Sequence, residues 1–303
     1  MLQPRGTWYI VPTPFRDDDG VDTDSLHRLT DAAVRWGVDG LTILGVMGEV
    51  AALSDTERSI VAGTVLGAVA GRVPVAVGCS APSVRGCLDR IAEAAELGAA
   101  AVMVSAPPLV RDTDQVVRFF HRIGEVAALP VIVQDEPVAT DVRLPVSALL
   151  AAMRACGSRV VKLEDPPTPP KISRLLAQDG DVTVFGGLGG VSAFHELARG
   201  SAGTMTGFAY PEVLKAVREA FEAGDRKRAA AIFDRYLPLI CFEGQPVAGL
   251  GIRKEVLRRR GVLATGRTRG LSPTLDAQTL AELDEVLERV RITPSPEPLA
   301  VMS

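Results

Sequence analysis

The stretch Trp8-Tyr9-Ile10-Val11-Pro12-Thr13-Pro14-Phe15 decides the fold. An apolar, β-prone run ends in a turn holding two prolines and no glycine. The same unit then recurs along the chain: a short apolar run, a turn, and a segment of helical period. After Trp8–Val11 the runs are Leu41–Leu44, Val75–Val77, Ala101–Ser105, Val131–Gln134, Val160–Leu163, Thr183–Phe185 and Gly203–Thr206. They are continuous, not alternating, as expected of strands covered on both faces. Eight strands alternating with helices predict a parallel sheet, either open or closed. An open, doubly wound sheet favours a glycine-rich nucleotide turn after its first strand. Val11–Phe15 is not such a turn, so the sequence predicts an α/β fold closed as a (β/α)8 TIM barrel.

Helix starts are legible between the strands. Ser54-Asp55-Thr56-Glu57 has the form of a capping box, and Asp112 with Gln115 has the same form with Asp as cap. Ser83 opens a helix expected to end at Leu97, with Gly98 free to turn left-handed behind it. Pro145 suits a first helical turn. Three more helical stretches follow the eighth unit, Asp225–Pro238, Val247–Arg260 and Asp276–Val290, with no strands between them. The predicted organisation is a catalytic barrel over 1–223, a helical extension of the same domain over 224–293, and a flexible tail over 294–303.

The bulk numbers limit the function. The chain has 303 residues, 47% hydrophobic and 23% charged, the balance of a globule with a large core. A net charge of −4 offers no basic footprint for nucleic acid or an anionic membrane. Cys79, Cys87, Cys156 and Cys241 form no C-x-x-C pair, so neither disulfides nor zinc are expected. Residues 1–15 lack the apolar core of a signal peptide, and no apolar run spans a bilayer. The expectation is a cytoplasmic protein.

Lys162, in Arg159-Val160-Val161-Lys162-Leu163, is out of place by composition. A buried ammonium must be paired or lose its proton. The chain has five lysines, at 162, 171, 215, 227 and 254, amid a large excess of arginine. Arginine stays protonated, whereas burial can bring lysine toward the neutral amine that attacks a carbonyl. The plain alternative is an ion pair with Glu164 or Asp135 and no chemistry. Barrel catalysis concentrates at the C-terminal ends of strands, where Lys162 falls.

With these motifs in order, the chain resembles the dihydrodipicolinate synthase/N-acetylneuraminate lyase family of class I aldolases. Thr13-Pro14-Phe15 is similar to the family's opening. Gly45-Val46-Met47-Gly48-Glu49, with Leu53-Ser54 and Glu57-Arg58 behind it, is similar to its G-T-T-G-E signature and L-S-x-x-E-R tail. Pro107, Pro137, Lys162, Gly186–Gly190 and Gly203–Gly207 fall where its fourth to eighth units place their marks. The resemblance covers nearly the whole chain and includes the three C-terminal helices. It implies a homo-oligomer, dimer or tetramer, in which Lys162 condenses with pyruvate or another small 2-oxo acid or ketone. The protonated imine is the electron sink, so no metal or other cofactor is implied.

The departures fall around the lysine. Where the family has a proton-shuttling tyrosine, this chain has Gln134. The paired threonines are Val46 and Met47. The tyrosine exchanged between subunits is replaced by Pro108 or Leu109, and the arginine expected after Pro137 falls at Ala139, with Arg143 nearby. The chain's tyrosines are Tyr9, Tyr210 and Tyr236; Tyr210-Pro211 reads as a helix start, though its phenol stands after strand eight. Glutamine cannot exchange a proton as tyrosine does. By strand alternation Glu164 shares Lys162's face, and Glu136 shares that of Gln134. Glu164 is therefore the expected replacement, with Glu136 behind it; the alternative is that both are solvated loop acids. The catalytic set expected is Lys162, Gln134 and Glu164, with Val46, Met47, Gly187 and Met205 binding substrate. The reaction expected is that of a Schiff-base lyase or aldolase other than dihydrodipicolinate synthase, alternatively a dehydratase or decarboxylase, or a degenerate barrel that only binds ligand.

Other features have plainer readings. Gly186–Gly190 serves a tight turn or close backbone approach to a substrate rather than a phosphate site, since no Lys or Arg adjoins it. Asp135, Glu136, Glu164 and Asp165 form an acidic cluster that could hold Mg²⁺ or Mn²⁺ in a metal-dependent lyase, but pairing with Lys162 is the cheaper arrangement. His27, His121 and His195 fall inside predicted helices, away from strand ends.

Overall fold

A computed structural model describes residues 4–108, 110, 112–270 and 272–302. Leu109, one of the two positions expected to replace the exchanged tyrosine, lies outside the described residues. The strands are β1 Gly6–Ile10, β2 Gly40–Ile43, β3 Val75–Gly78, β4 Ala101–Ser105, β5 Val131–Asp135, β6 Val160–Leu163, β7 Thr183–Gly186 and β8 Gly203–Thr206. All neighbours pair in parallel, and β8 pairs back to β1, so the sheet closes in chain order. The TIM barrel read from the first turn is the observed fold.

The helices are α1 Thr23–Arg35, α2 Asp55–Val69, α3 Val84–Glu96, α4 Thr113–Gly124, α5 Pro137–Thr140, α6 Val146–Ala155, α7 Thr168–Gln178, α8 Ala193–Leu197, α9 Pro211–Glu222, α10 Arg226–Glu243, α11 Gly249–Arg259 and α12 Ala277–Arg289. Ser54 and Glu57 form the full capping box of α2. Ser83 caps α3 through the Gly86 amide, and Gly98 is left-handed behind it. Asp112 caps α4, but its side chain accepts from the Asp114 amide, and the Gln115 amide donates instead to the Asp112 carbonyl at 3.1 Å. Pro145 stands one residue earlier than expected, as the N-cap of α6.

Two cores follow from the alternation of the strands. Inside the barrel, Trp8, Ile10, Ala76, Ala101, Met103, Ile132, Val160, Phe185 and Met205 are buried together. Outside it a larger apolar layer joins the other strand faces to the helices. Residues two positions beyond the inner set, toward the strand C-termini, rise into the barrel mouth: Gln134 above Ile132, Lys162 above Val160, Ser105 above Met103.

Of the three C-terminal helices, α10 packs on α9, α11 and α12. The final segment, expected to be a flexible tail, instead runs back along the barrel. Arg260 donates to the Ser295 carbonyl, Trp36 Nε1 to the Pro296 carbonyl, and the Leu299 amide to Glu212. Its Pro-rich composition prevents a helix but not these backbone contacts. Among the described residues no helix is long and apolar enough to cross a membrane.

Candidate active site

Strands β5 and β6 lie side by side with Gln134 opposite Lys162. Val131–Val133 and Val160–Val161 are strand formers buried on both faces, so the first polar side chains after them face the mouth from fixed backbone. Lys162 Nζ lies 2.7 Å from Glu164 Oε2, with its side chain 4% exposed and that of Glu164 12% exposed. Gln134 Nε2 donates to the same Oε2 at 2.8 Å. Three of the expected residues thus share one carboxylate oxygen. The other oxygen, Oε1, accepts from the Leu188 amide at 3.5 Å, a long contact.

Gly187 makes that approach possible. A Cβ at 187 would stand 2.5 Å from Glu164 Cγ, inside any allowed contact. The glycine run thus brings backbone close to Glu164, and Gly187, expected to bind substrate, is not among the residues that line the nearby cavity.

A cavity of about 570 Å³ opens beside Gln134, and neither Lys162 nor Glu164 is among the residues that line it. Gln134 and Glu136 form part of its wall with Ser80, Ser105 and Thr140, against an apolar side that includes Val46, Val50 and Leu250. Ser105 donates to Ser80 Oγ at 3.0 Å, so the two hydroxyls are held together. Glu136 is half-buried and accepts from the Ala139 amide at 2.6 Å as the cap of α5. Burial and the nearby Glu164 raise its carboxyl above the usual range.

The other acids of the expected cluster belong to a different cation. Lys171 Nζ contacts Asp135 at 2.6 Å, Asp165 at 2.9 Å and the Leu144 carbonyl at 2.8 Å. Burial outweighs the Lys171 charge at Asp135, whose carboxyl is pushed up to about 6. Asp165 also pairs with Arg143, which is not among the residues that line the cavity. The acidic cluster is therefore split between two lysines. Lys162 takes Glu164, and Asp135, its other expected partner, goes to Lys171.

The Gly45–Glu49 motif forms a 3-10 turn over Val46–Gly48. Thr13 Oγ1 donates to the Gly48 carbonyl at 2.7 Å, tying the first loop to the second. Glu49 is buried, pairs with Lys254 and accepts from the Arg269 and Gly270 amides at 2.7 and 2.6 Å. Burial brings the Lys254 ammonium down to about 8. The motif glutamate is thus an anchor to the C-terminal helices.

Not every expected residue reaches the cavity. Val46 is exposed on its wall. Met47 is half-buried and caps the inner core. Met205 is completely buried within that core, one layer below the mouth, so its role is packing. Tyr210 stands at the N-cap of α9 with its ring under Arg260, and it is not among the residues that line the cavity. His27 and His121 make surface contacts with Asp31 and Glu125. Residues that carried no signal in the sequence include Lys171, Arg253 and Glu196, because their partners lie on other elements.

A sequence model of the Dihydrodipicolinate synthetase family matches residues 3–289. The chain belongs to that family. It is accordingly a carbon–carbon or carbon–oxygen lyase of the class I aldolase type. Family members resemble it to different degrees. An L-2-keto-3-deoxyarabonate dehydratase of Azospirillum brasilense is 34% identical over 299 residues, covering 94% of each chain. A 4-hydroxy-tetrahydrodipicolinate synthase of Xanthomonas axonopodis pv. citri is 31% identical over 83% of this chain and 84% of its own. The crystal structure of a dihydrodipicolinate synthase from Rhodopseudomonas palustris superimposes with a TM-score of 0.89 at 34% identity, over 94% of this chain and 97% of that one.

Proposed function

We propose that this family member forms an imine between Lys162 and a small 2-oxo acid and uses it to eliminate water from the substrate. The observation that carries the reading is the single carboxylate oxygen of Glu164 shared by Lys162 and Gln134. A proton passed across that 2.7 Å contact turns the ammonium into the free amine needed for attack. The amine adds to the C2 carbonyl and water leaves, giving the iminium. Glu164 then removes a proton from C3, and the enamine expels a hydroxyl from C4, which departs as water once protonated. Hydrolysis of the imine frees the product and restores Lys162.

Gln134 cannot exchange a proton, but its amide orients the Glu164 carboxylate. The loss of the tyrosine is thus matched by an acid two residues after the lysine. Dehydration is favoured over aldol cleavage by the similarity to the Azospirillum dehydratase across nearly the whole chain. The buried free thiols at 79, 87 and 156 suit a cytoplasmic setting, and the family plan suits a homo-oligomer.

The test is borohydride trapping with a panel of 2-oxo acids, followed by mass spectrometry of the Lys162 peptide. A mass increment on Lys162, with release of a dehydrated product from one of the acids, is the expected result. No adduct from any acid in a folded protein would move the reading to a binding-only barrel.

A further inference from the structure

Helix α11 sends one cation into the barrel mouth. Arg253 is buried, its side chain 8% exposed, and its surroundings do not match its donors. Nη1 lies 2.9 Å from Met47 Sδ, a thioether and a weak acceptor. Nε stands 3.5 Å from Glu243 Oε2, and among the described residues it has no hydrogen-bond acceptor. Nη2 reaches over Gly189, where an added Cβ would meet it at 2.7 Å. Glu164 is close enough to act on the guanidinium electrostatically. One side chain thus touches the loops after β2 and β7 and lies in the field of the candidate acid–base group. A buried guanidinium with five donors and so few good acceptors is costly unless something else fills the set.

We propose that Arg253 is a specificity-determining residue that donates to a hydroxyl oxygen at the end of the 2-oxo acid remote from the imine, displacing the Met47 thioether. Charge selects the hydroxyl. Glu243 is completely buried and already balances Arg253, and Glu164 is near. A second carboxylate would leave an uncompensated buried negative charge, whereas a neutral oxygen supplies only the lone pairs the guanidinium lacks. The inference rests on the Lys162 imine reading, because the imine decides which end of the substrate faces α11.

The experiment compares the wild type with Arg253→Met, using pyruvate, 2-oxo-4,5-dihydroxypentanoate, its analogue 2-oxo-4-hydroxypentanoate that lacks only the terminal hydroxyl, and 2-oxoglutarate. The readings are the half-saturating concentration for borohydride trapping and the split between KM and kcat. In the wild type the dihydroxylated acid should bind about 10- to 100-fold more tightly than 2-oxo-4-hydroxypentanoate, the range for a hydrogen bond to a charged group. In the variant that gap should close through KM while pyruvate is trapped as before. A gap that survives in Arg253→Met, or a wild-type preference for 2-oxoglutarate over the dihydroxylated acid, would overturn the proposal. Thermal shifts with the same four acids are measured in parallel. If the wild type traps none of them, the imine reading has failed, and the shifts still decide whether Arg253 reads the hydroxyl. Should Arg253→Met not fold, Arg253→Lys keeps the charge beside Glu243 and shortens the reach, and it is expected to lose most of the gap.

Discussion

Replacing Glu164 by Gln changes one oxygen to an amide nitrogen and leaves the side-chain shape alone. Its remaining oxygen can still accept from Lys162 and Gln134, so the geometry can persist while the capacity to hold a proton is lost. With Lys162 Nζ 2.7 Å from the carboxylate, Coulomb attraction at an effective dielectric near 20 is about 6 kcal/mol. Desolvation offsets much of it, and removing one partner of a buried pair costs about 3–5 kcal/mol of stability. Two steps are affected unequally. Water can take the lysine's proton in place of Glu164, so adduct formation with pyruvate should slow but survive. Without a proton acceptor at C3, the later step should slow by about 10²–10⁴-fold, or roughly 3–5 kcal/mol of barrier. Turnover follows the slower step, so kcat falls while trapping survives. Both are read on one preparation, with urea unfolding as the control for folding. A kcat within about threefold of wild type would refute the argument. So would loss of the adduct together with turnover, which would confine Glu164 to the step that frees the amine.

Gly187→Ala should lower kcat by about 10²-fold without abolishing pyruvate trapping, because its Cβ displaces Glu164 by the sort of ångström shift that costs that much; wild-type turnover would contradict it. Lys171→Met should cost about 3–5 kcal/mol in urea unfolding, since Asp135 and Asp165 then lose their shared ammonium; a cost below about 1 kcal/mol would show that the pair is not needed. Glu196 is buried behind β7, bonded by Thr168, and burial pushes its carboxyl up to about 7. The folded state thus binds a proton that the unfolded chain releases near its ordinary 4.5, so this contribution is present below pH 4.5 and is lost as pH rises through 7. Glu196→Gln should therefore gain stability relative to wild type between those values, by about 3 kcal/mol at most; parallel pH–stability curves for the two proteins would contradict it.

Much of the fold was legible because barrel strands are covered on both faces and helices on one. Those requirements write continuous apolar runs and capped amphipathic segments into local sequence, so all eight strands were placed within two residues of their observed ends. The polar pair Lys162 and Glu164 was legible for the same reason, since strand alternation assigns both to one face. Met205 misled because the same alternation says which face a residue takes but not how deep in the barrel it lies. The tail misled because composition reports that a segment will not form a helix, and says nothing of the carbonyls that Trp36 and Arg260 reach.

By itself, then, the sequence determined the barrel and the common face of Lys162 and Glu164 through local periodicity, and the resemblance to the family marked Gln134 as standing where a tyrosine is usual. Only the tertiary structure decided how the charges are shared. Lys171 on α7 takes Asp135 and Asp165, which leaves Glu164 to Lys162 and Gln134, and Arg253 on α11 reaches Met47 across 206 positions. Ion pairs depend on distance in space through a medium of low dielectric, and closure of the barrel, not spacing along the chain, sets those distances.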